Sequence, residues 1–521
     1  MLEYGTALVL GSCLCAAAAG EVLYNGIKLP DEWPPRIDTL TPEPLPTPTY
    51  LVSPPKVIPI DVGRQLFVDD FLIAETDLVR EYHLARYFIA NPVLKPDRPW
   101  EMEGGSPCAM PFSDGVFWDP HEKLFKMWYM GGYCTATCYA TSKDGITWDK
   151  PELDVVPGTN IVWRGHRDST TVWPDWDEPD PEKRYKMLCF RDDDGWKLSL
   201  YFSPDGIHWS EPVDGPSWGD RSSFFYNPFR GKWVFSLRAG TNPMGRCRRY
   251  FEATDPLAWS LLTEDPTLWV GADSLDPRRP EVGTQPQLYN LDCVAYESVM
   301  LGLFSIWYGQ PQDRPKPNAI CLGYSRDGFQ WSRPDRRPFI PVSETRGDWN
   351  WGNVQSAGGC CLVVEDELWF YVSGRQGVEG SSGSGLCSTG LAVIRRDGFA
   401  SMNSGAFREG TLTTRPVRFS GKYLFINADA SHGAISAEVL DESGRAITPY
   451  TRENCLLTRV DTVSAPVRWQ AAEDLSPFVG KPVRFRFHVR NAKLYAFWVS
   501  KDLTGESSGY PAAGEVDLGG A

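Results

Sequence analysis

Basic charge is what this chain has least of. Against 67 Asp and Glu it carries only 52 Lys and Arg, a formal net charge of −15 with an isoelectric point near 5.0. A protein that neutralises phosphates needs a basic face, so no nucleic-acid partner and no anionic membrane surface is expected. Long apolar runs are missing after the N-terminus: none reaches the roughly 18 residues that a membrane span requires, and no span is expected. Histidine is scarce, with six in 521 residues, and no H-E-x-x-H or similar spacing occurs, so neither a catalytic metal nor another cofactor is expected. There is no C-x-x-C, and Cys134-x-x-x-Cys138 alone is too little for a zinc site. Setting aside Cys13 and Cys15 near the N-terminus leaves eleven cysteines, an odd number. Cys189, Cys293, Cys321, Cys360 and Cys361 lie in apolar, strand-like runs where a thiol acts as a small hydrophobe, which argues against a disulfide scaffold.

What is present points to a turn-rich globular chain. There are 48 Gly and 43 Pro and few long helical patterns, and 521 residues suit two to four domains or one large repetitive fold with an appendage. The 21 Trp and 21 Tyr fill a β core, and such flat amphipathic rings also stack on neutral ligands such as sugars. Residues 1–20, MLEYGTALVLGSCLCAAAAG, have the length and small-residue ending of a signal peptide, with Glu3 where a basic residue is usual. They predict an extracytoplasmic protein, secreted, periplasmic or lipid-anchored, since Leu10-Gly11-Ser12-Cys13 also reads as a lipoprotein cleavage site. Residues 21–59 form a Pro-rich strap whose composition favours extended geometry over packed structure.

The strongest pattern is an internal repeat. Ser142-Lys143-Asp144-Gly145-Ile146-Thr147-Trp148 returns as Ser203-Pro204-Asp205-Gly206-Ile207-His208-Trp209 and as Ser325-Arg326-Asp327-Gly328-Phe329-Gln330-Trp331. Degenerate copies begin at Ala253 and Arg395. Asp-Gly supplies the positive φ of a tight turn and the Trp pins that turn onto a neighbouring sheet. Starts at 142, 203, 253, 325 and 395 leave room for a four-stranded antiparallel blade in each interval.

Alternating β-rich segments such as KLFKMWYMGG, RYKMLCF, KWVFSLRAG, VMLGLFSIWYG and ELWFYVSGR fall mid-unit as second strands, each preceded by a strand that would line a central channel. After about Gly410 the strands lose the Asp-Gly-Trp signature and read as a sandwich. The expected fold is therefore all-β: a five-bladed β-propeller over 60–408, a β-sandwich over 409–505 and a polar tail over 506–521.

Function in such a fold concentrates where the innermost strands begin. Glu103, Asp168, Asp220, Glu281 and Asp348 stand there at intervals that follow the repeat. Breaking a glycosidic bond requires one protonated carboxyl to donate to the leaving oxygen and one ionised carboxylate as base or nucleophile, which neighbouring blades can supply. Arg167 and Arg221 flank two of these acids, and His166 stands next to Arg167.

The layout resembles the five-bladed propeller glycoside hydrolases, the group of invertases, levansucrases and arabinanases, with the sandwich found behind invertase-type propellers. The motif that carries it is Arg167-Asp168 before VWPDWDEPDPEKRYKML. The resemblance implies catalytic Glu103, Asp168 and Asp220: Asp168 as the positioning carboxylate, Asp220 where the acid Glu would stand, and Glu103, Asp70 and Asp69 competing for the base because no Asn-Asp-Pro occurs. Asp70, His166, Arg167, Arg221, Glu281, Tyr289 and Trp351 are the expected substrate contacts, and a carbohydrate the expected partner. Asn91-Pro92-Val93-Leu94 is similar to a segment of propeller enzymes that cleave mannosides with phosphate, for which Arg164, His166, Arg167 and Arg221 would have to gather. Two other readings stay open: a non-catalytic carbohydrate-binding propeller, and a sialidase-like exo-hydrolase built on Arg167, Arg221, Arg238 and Tyr289.

Overall fold

The computed structural model describes residues 20–517 other than 193–194, 284 and 406–407. Of residues 1–20, expected to be a signal peptide, 1–19 lie outside the described residues. The described cysteines are all free thiols.

Five antiparallel sheets form the blades of a propeller. The first comprises Ala109–Asp119, Leu124–Gly131, Ala136–Ser142 and Ile161–Arg164; the second Arg167–Pro174, Tyr185–Asp192, Trp196–Ser203 and Val213–Asp214; the third Gly219–Asn227, Lys232–Thr241, Gly245–Ala253 and Thr267–Gly271. The fourth is built on Gln287–Glu297, Val299–Trp307 and Asn318–Ser325. In the fifth, Asn353–Ser356 and Leu362–Val364 share the inner side of Glu367–Arg375, followed by Cys387–Arg395. The outer strand of this last blade is Arg86–Tyr87, which precedes the first blade in the chain and so closes the ring.

The repeat explains how blades stay in register. Ser142 Oγ accepts the Gly145 N–H at 2.8 Å, and Asp144 Oδ1 accepts the Ile146 and Thr147 N–H groups at 2.8 and 2.7 Å. The same bonds recur at Ser203 with Asp205 and at Ser325 with Asp327. Each turn locks onto the preceding blade. Tyr371 of blade five donates to Gly145 O, Trp128 of blade one to Gly206 O, and Trp269 of blade three to Phe329 O. The degenerate copies are used differently: Asp255 caps the 3-10 helix Pro256–Leu261, and Asp397 is buried against Arg64, Tyr296 and Asn427 at the junction with the second domain.

Gly206 tests this arrangement. Its φ is +78°, and a Cβ there would lie 2.5 Å from the fully buried Trp128 ring. We expect Gly206→Ala to cost about 1–3 kcal/mol through strain and overpacking, read as a lowered melting temperature. A change below about 0.5 kcal/mol would show that the turn is not pinned.

The second domain is a two-sheet sandwich. One sheet orders Ala434–Leu440, Arg484–Arg490, Glu409–Thr414 and Ile73–Thr76; the other Asp461–Pro466, Tyr423–Asp429, Lys493–Ser500, Ala400–Asn403 and Val79–Tyr82. Its membership departs from the boundaries expected above. Residues 73–82 and 400–403 pair into the sandwich sheets, with Ile73, Leu78 and Met402 in the sandwich core while Ala400 and Tyr82 pack on the propeller core at the junction. The Pro-rich strap is packed rather than merely extended: Leu23, Ile27, Leu29 and Tyr50 are buried, Ile58–Pro59 pairs with Val417–Arg418, and Ile37 bonds the outer strand of blade three. The tail is likewise structured. Tyr510–Pro511 pairs with the end of the blade-four inner strand, Glu515–Val516 with Leu362–Val364, and Ala513 O accepts the Trp118 N–H. It crosses the end of the channel where the inner strands finish, leaving the end where they begin as the site region.

Candidate active site at the channel mouth

The inner strands begin at Ala109, Arg167, Gly219, Gln287 and Asn353, and their first residues surround the mouth. Successive side chains on a strand point to opposite faces, which separates Arg167 from Asp168. Arg167 is fully buried and grips Asp114 of blade one with Nη1 and Nη2 at 2.5 and 2.9 Å, while Nη1 also donates to Thr137 Oγ1 at 2.8 Å. Burial pushes the Asp114 carboxyl up even against the pull of Arg167. Arg167 is therefore a clamp between blades, and both the phosphate cluster and the trio of arginines that included it lose this member.

Asp168 faces the other way. Its Oδ1 is buried and has no hydrogen-bond partner among the described residues. Around it lie Cys134, Arg221, Arg238 and Lys316. Asp220, one blade on, forms an ion pair with Arg238, both side chains being about one-third exposed (33% and 31%). Arg221 adopts φ +61° and is 1% exposed; it donates to Phe112 O at 3.2 Å and Ser113 Oγ at 3.1 Å, with its guanidinium 3.7 Å from the centre of the Phe112 ring. Arg248 in turn donates to the backbone carbonyls of Arg221 and Tyr289, and burial followed by the nearby Arg221 charge pushes it down to about 9.

Blades four and five complete the wall. Tyr289 is buried at a bulge in its strand, and Arg246 lies over its ring and that of Trp307, 5.4 and 4.5 Å from the centroids. Arg375 ends the second strand of blade five over Phe112 and Tyr133, at 5.2 and 5.3 Å, and donates to Ser384 Oγ. Trp351 is buried beside it, under Arg314 and against Gly377. Below the mouth Asp292 accepts hydrogen bonds from Ser113, Asn290 and Ser356, tying blades one, four and five together.

Of the residues expected from sequence, the mouth thus gathers Asp168, Asp220, Arg221 and Tyr289, with Trp351 alongside. The others sit elsewhere. Glu103 follows the 3-10 helix Pro99–Met102 in a loop, 43% exposed and bound to Arg164 at 2.7 Å. His166 is half-exposed against Trp196 and Asp192. Glu281 is an exposed partner of Arg279, and Asp348 accepts from Ser343 in an exposed loop. Asp70 is exposed and paired with Arg80 beside the sandwich, while Asp69 is buried in a bidentate pair with Arg326 at 2.8 and 2.9 Å. Both aspartates belong to the sandwich side because the strand they precede, Ile73–Thr76, does.

Sequence reasoning passed over Ser113, Asp114, Asp292, Tyr133, Arg246, Arg248, Lys316 and Arg375. One signal was present. Second strands run antiparallel to the inner strands and so end at the mouth, and Arg191, Arg238 and Arg375 recur near those ends. Among the described residues no group of three or more His, Cys, Asp or Glu side chains gathers as a metal site.

No family model matches the chain, and no curated protein matches it in sequence. Solved structures do. An N-acetylgalactosamine deacetylase from F. plautii in complex with blood group B trisaccharide is 14% identical, covering 62% of this chain and 96% of its own, with a TM-score of 0.42. A thermostable family-43 glycoside hydrolase is 15% identical, with coverages of 56% and 93% and a TM-score of 0.38. A glycosyl hydrolase from Bacteroides ovatus is 12% identical, with coverages of 64% and 96% and a TM-score of 0.37.

Proposed function

We propose that the chain is an exported glycoside hydrolase acting at the channel mouth. The observation that carries this reading is the buried, unpartnered Oδ1 of Asp168, aimed among charged groups and beside an aromatic wall, one blade from a second carboxylate. A carboxylate held by a guanidinium is a poor proton donor. In this reading Asp220, paired with Arg238, is the ionised partner that takes the proton of an attacking water. Asp168, when protonated, donates to the glycosidic oxygen, and the glycosidic C–O bond breaks as the C–O bond to water forms, the acid proton leaving with the departing sugar and the water's proton staying on Asp220. Tyr289 and Trp351 are buried in the wall behind the mouth, where they hold Arg246 and Arg314 in place rather than offering a free ring face.

A second reading is favoured by a specific feature: Tyr289 has Arg221, Arg238 and Arg375 near it, a Tyr among three arginines. There Tyr289 is the nucleophile of an exo-hydrolase. Reducing-sugar release from a panel of neutral and acidic glycans tests both. The first reading expects release by the native chain and none by the Asp168→Asn/Asp220→Asn double variant; the second expects Tyr289→Phe to be equally inactive. Release by the double variant at the native rate would remove the carboxylate mechanism.

A further inference from the structure

Buried arginines in this chain are normally matched by carboxylates. Arg64 pairs with Asp397, Arg167 with Asp114, Arg326 with Asp69 and Arg333 with Asp276, each partner being buried as well. The mouth breaks this rule. Arg221, Arg248 and Arg375 are at least 95% buried, yet among the described residues none has a carboxylate within ion-pair distance, and their hydrogen bonds go to backbone carbonyls and hydroxyls. Partly open Arg246 and Lys316 complete the group, Arg246 bonded to the neutral Gln287 and Lys316 without an ion-pair partner among the described residues. Burial and the neighbouring Arg375 hold Lys316 below the ordinary lysine value, as expected where cations crowd together.

With Arg238 these are six cations. The carboxylates among them are Asp168, Asp220 and Asp292, while Asp114, which also acts on Arg221, is matched by Arg167. The mouth is therefore locally positive in a protein of net charge −15. Uncompensated buried charge is costly, and a concave, low-dielectric site of one sign concentrates ligands of the other. The acidic remainder of the surface repels an extended polyanion, so the group that fits is a single negative substituent on a short glycan. Planar guanidinium groups suit carboxylate and sulfate oxygens alike.

Resting on the reading of the mouth as a sugar site, we infer that it takes an acidic glycan, with the carboxylate or sulfate ester of the sugar received by Lys316 and Arg246 in the field of Arg221, Arg248 and Arg375. An acidic ligand departs from the composition-based expectation of a neutral one, because aromatic rings are countable from the chain whereas unpaired arginines are not.

The test is a binding titration on the full chain, followed by tryptophan fluorescence. Its probes are short glycans with one acid group each: a glucuronosyl disaccharide beside its carboxyl-reduced counterpart, and a monosulfated disaccharide beside its desulfated counterpart. At least one acidic probe is expected to bind about tenfold or more tightly than its neutral partner at low salt, the difference shrinking as salt rises. The pair that shows the difference tells uronate from sulfate ester. Lys316→Met is expected to weaken the acidic probe about fivefold or more beyond any loss for the neutral one, with Lys316→Arg restoring it. Equal binding of acidic and neutral partners in both pairs overturns the inference, as does an equal loss of both on Lys316→Met. Acidic binding without cleavage of any glycan would instead remove the hydrolase reading and leave this one standing.

Discussion

Asp168→Asn is expected to lower kcat by about 10²–10⁴-fold, the usual worth of a positioned acid or base. The substitution keeps the size and the burial of the side chain while removing its exchangeable proton and its charge. Among the described residues Oδ1 has no hydrogen-bond partner, so no bond within the fold is lost with it, and the cost to stability is that of one carboxylate fewer among Arg221, Arg238 and Lys316, read as a fall in melting temperature. Glu103→Gln provides the contrast. That carboxylate is 43% exposed and engaged with Arg164, so its replacement should remove only a surface ion pair, worth about 0–1 kcal/mol, and change kcat by less than about threefold. Steady-state kinetics on any glycan that the chain cleaves decides the matter. An Asn variant with near-native turnover, or a Glu103→Gln variant as damaged as Asp168→Asn, would move the chemistry away from the mouth.

The second large effect concerns stability. Arg167→Met should cost about 3–5 kcal/mol, because it leaves the carboxylate of Asp114 buried without its bidentate partner and disconnects blade one from blade two. The pH dependence has a definite sign. Asp114 already sits above the ordinary carboxylate value through burial, and losing Arg167 raises it further. Above the unfolded value the folded variant then binds the extra proton, so its stability falls as pH rises toward the folded value of Asp114 and the deficit is greatest beyond it. Denaturant unfolding of the native chain and the variant across pH measures this. Adding Asp114→Leu to Arg167→Met should recover part of the loss, since an apolar pair is often as stable as a buried ion pair. A deficit that does not change with pH would show that Asp114 is not the group left exposed to the penalty.

The two effects come from adjacent residues that the chain uses in opposite ways, and this shows where sequence reading stops. The dipeptide Arg167-Asp168 marks the start of a blade, and strand alternation implies that its side chains part. Which of the two faces the mouth depends on Asp114, 53 residues earlier, whose carboxylate draws the arginine between the blades. Glu103 and Asp168 looked equivalent by spacing, but only Asp168 lies within a strand; Glu103 follows a 3-10 turn and swings out to Arg164. Asp69 and Asp70 were drawn away in the same fashion, since the strand after them adds to a sheet that forms only when residues beyond 400 arrive.

Local chemistry was enough for the turns. A Ser, an Asp and a Gly at fixed offsets satisfy one another's backbone groups within seven residues, so the three full copies of the repeat could be read directly, and the second strands from their alternation; the count of five leaned also on two degenerate copies that the fold uses differently. Tertiary structure alone decided what depends on partners distant in the chain: the closing strand at Arg86–Tyr87, the strap and tail laid against the blades, the pairing of each buried arginine with its aspartate, and the concentration of unmatched cations at one mouth. The reason is range. A hydrogen-bonded turn is determined by neighbours a few bonds away, whereas charge in a pocket is a sum over side chains brought together from five blades, and no stretch of sequence contains that sum.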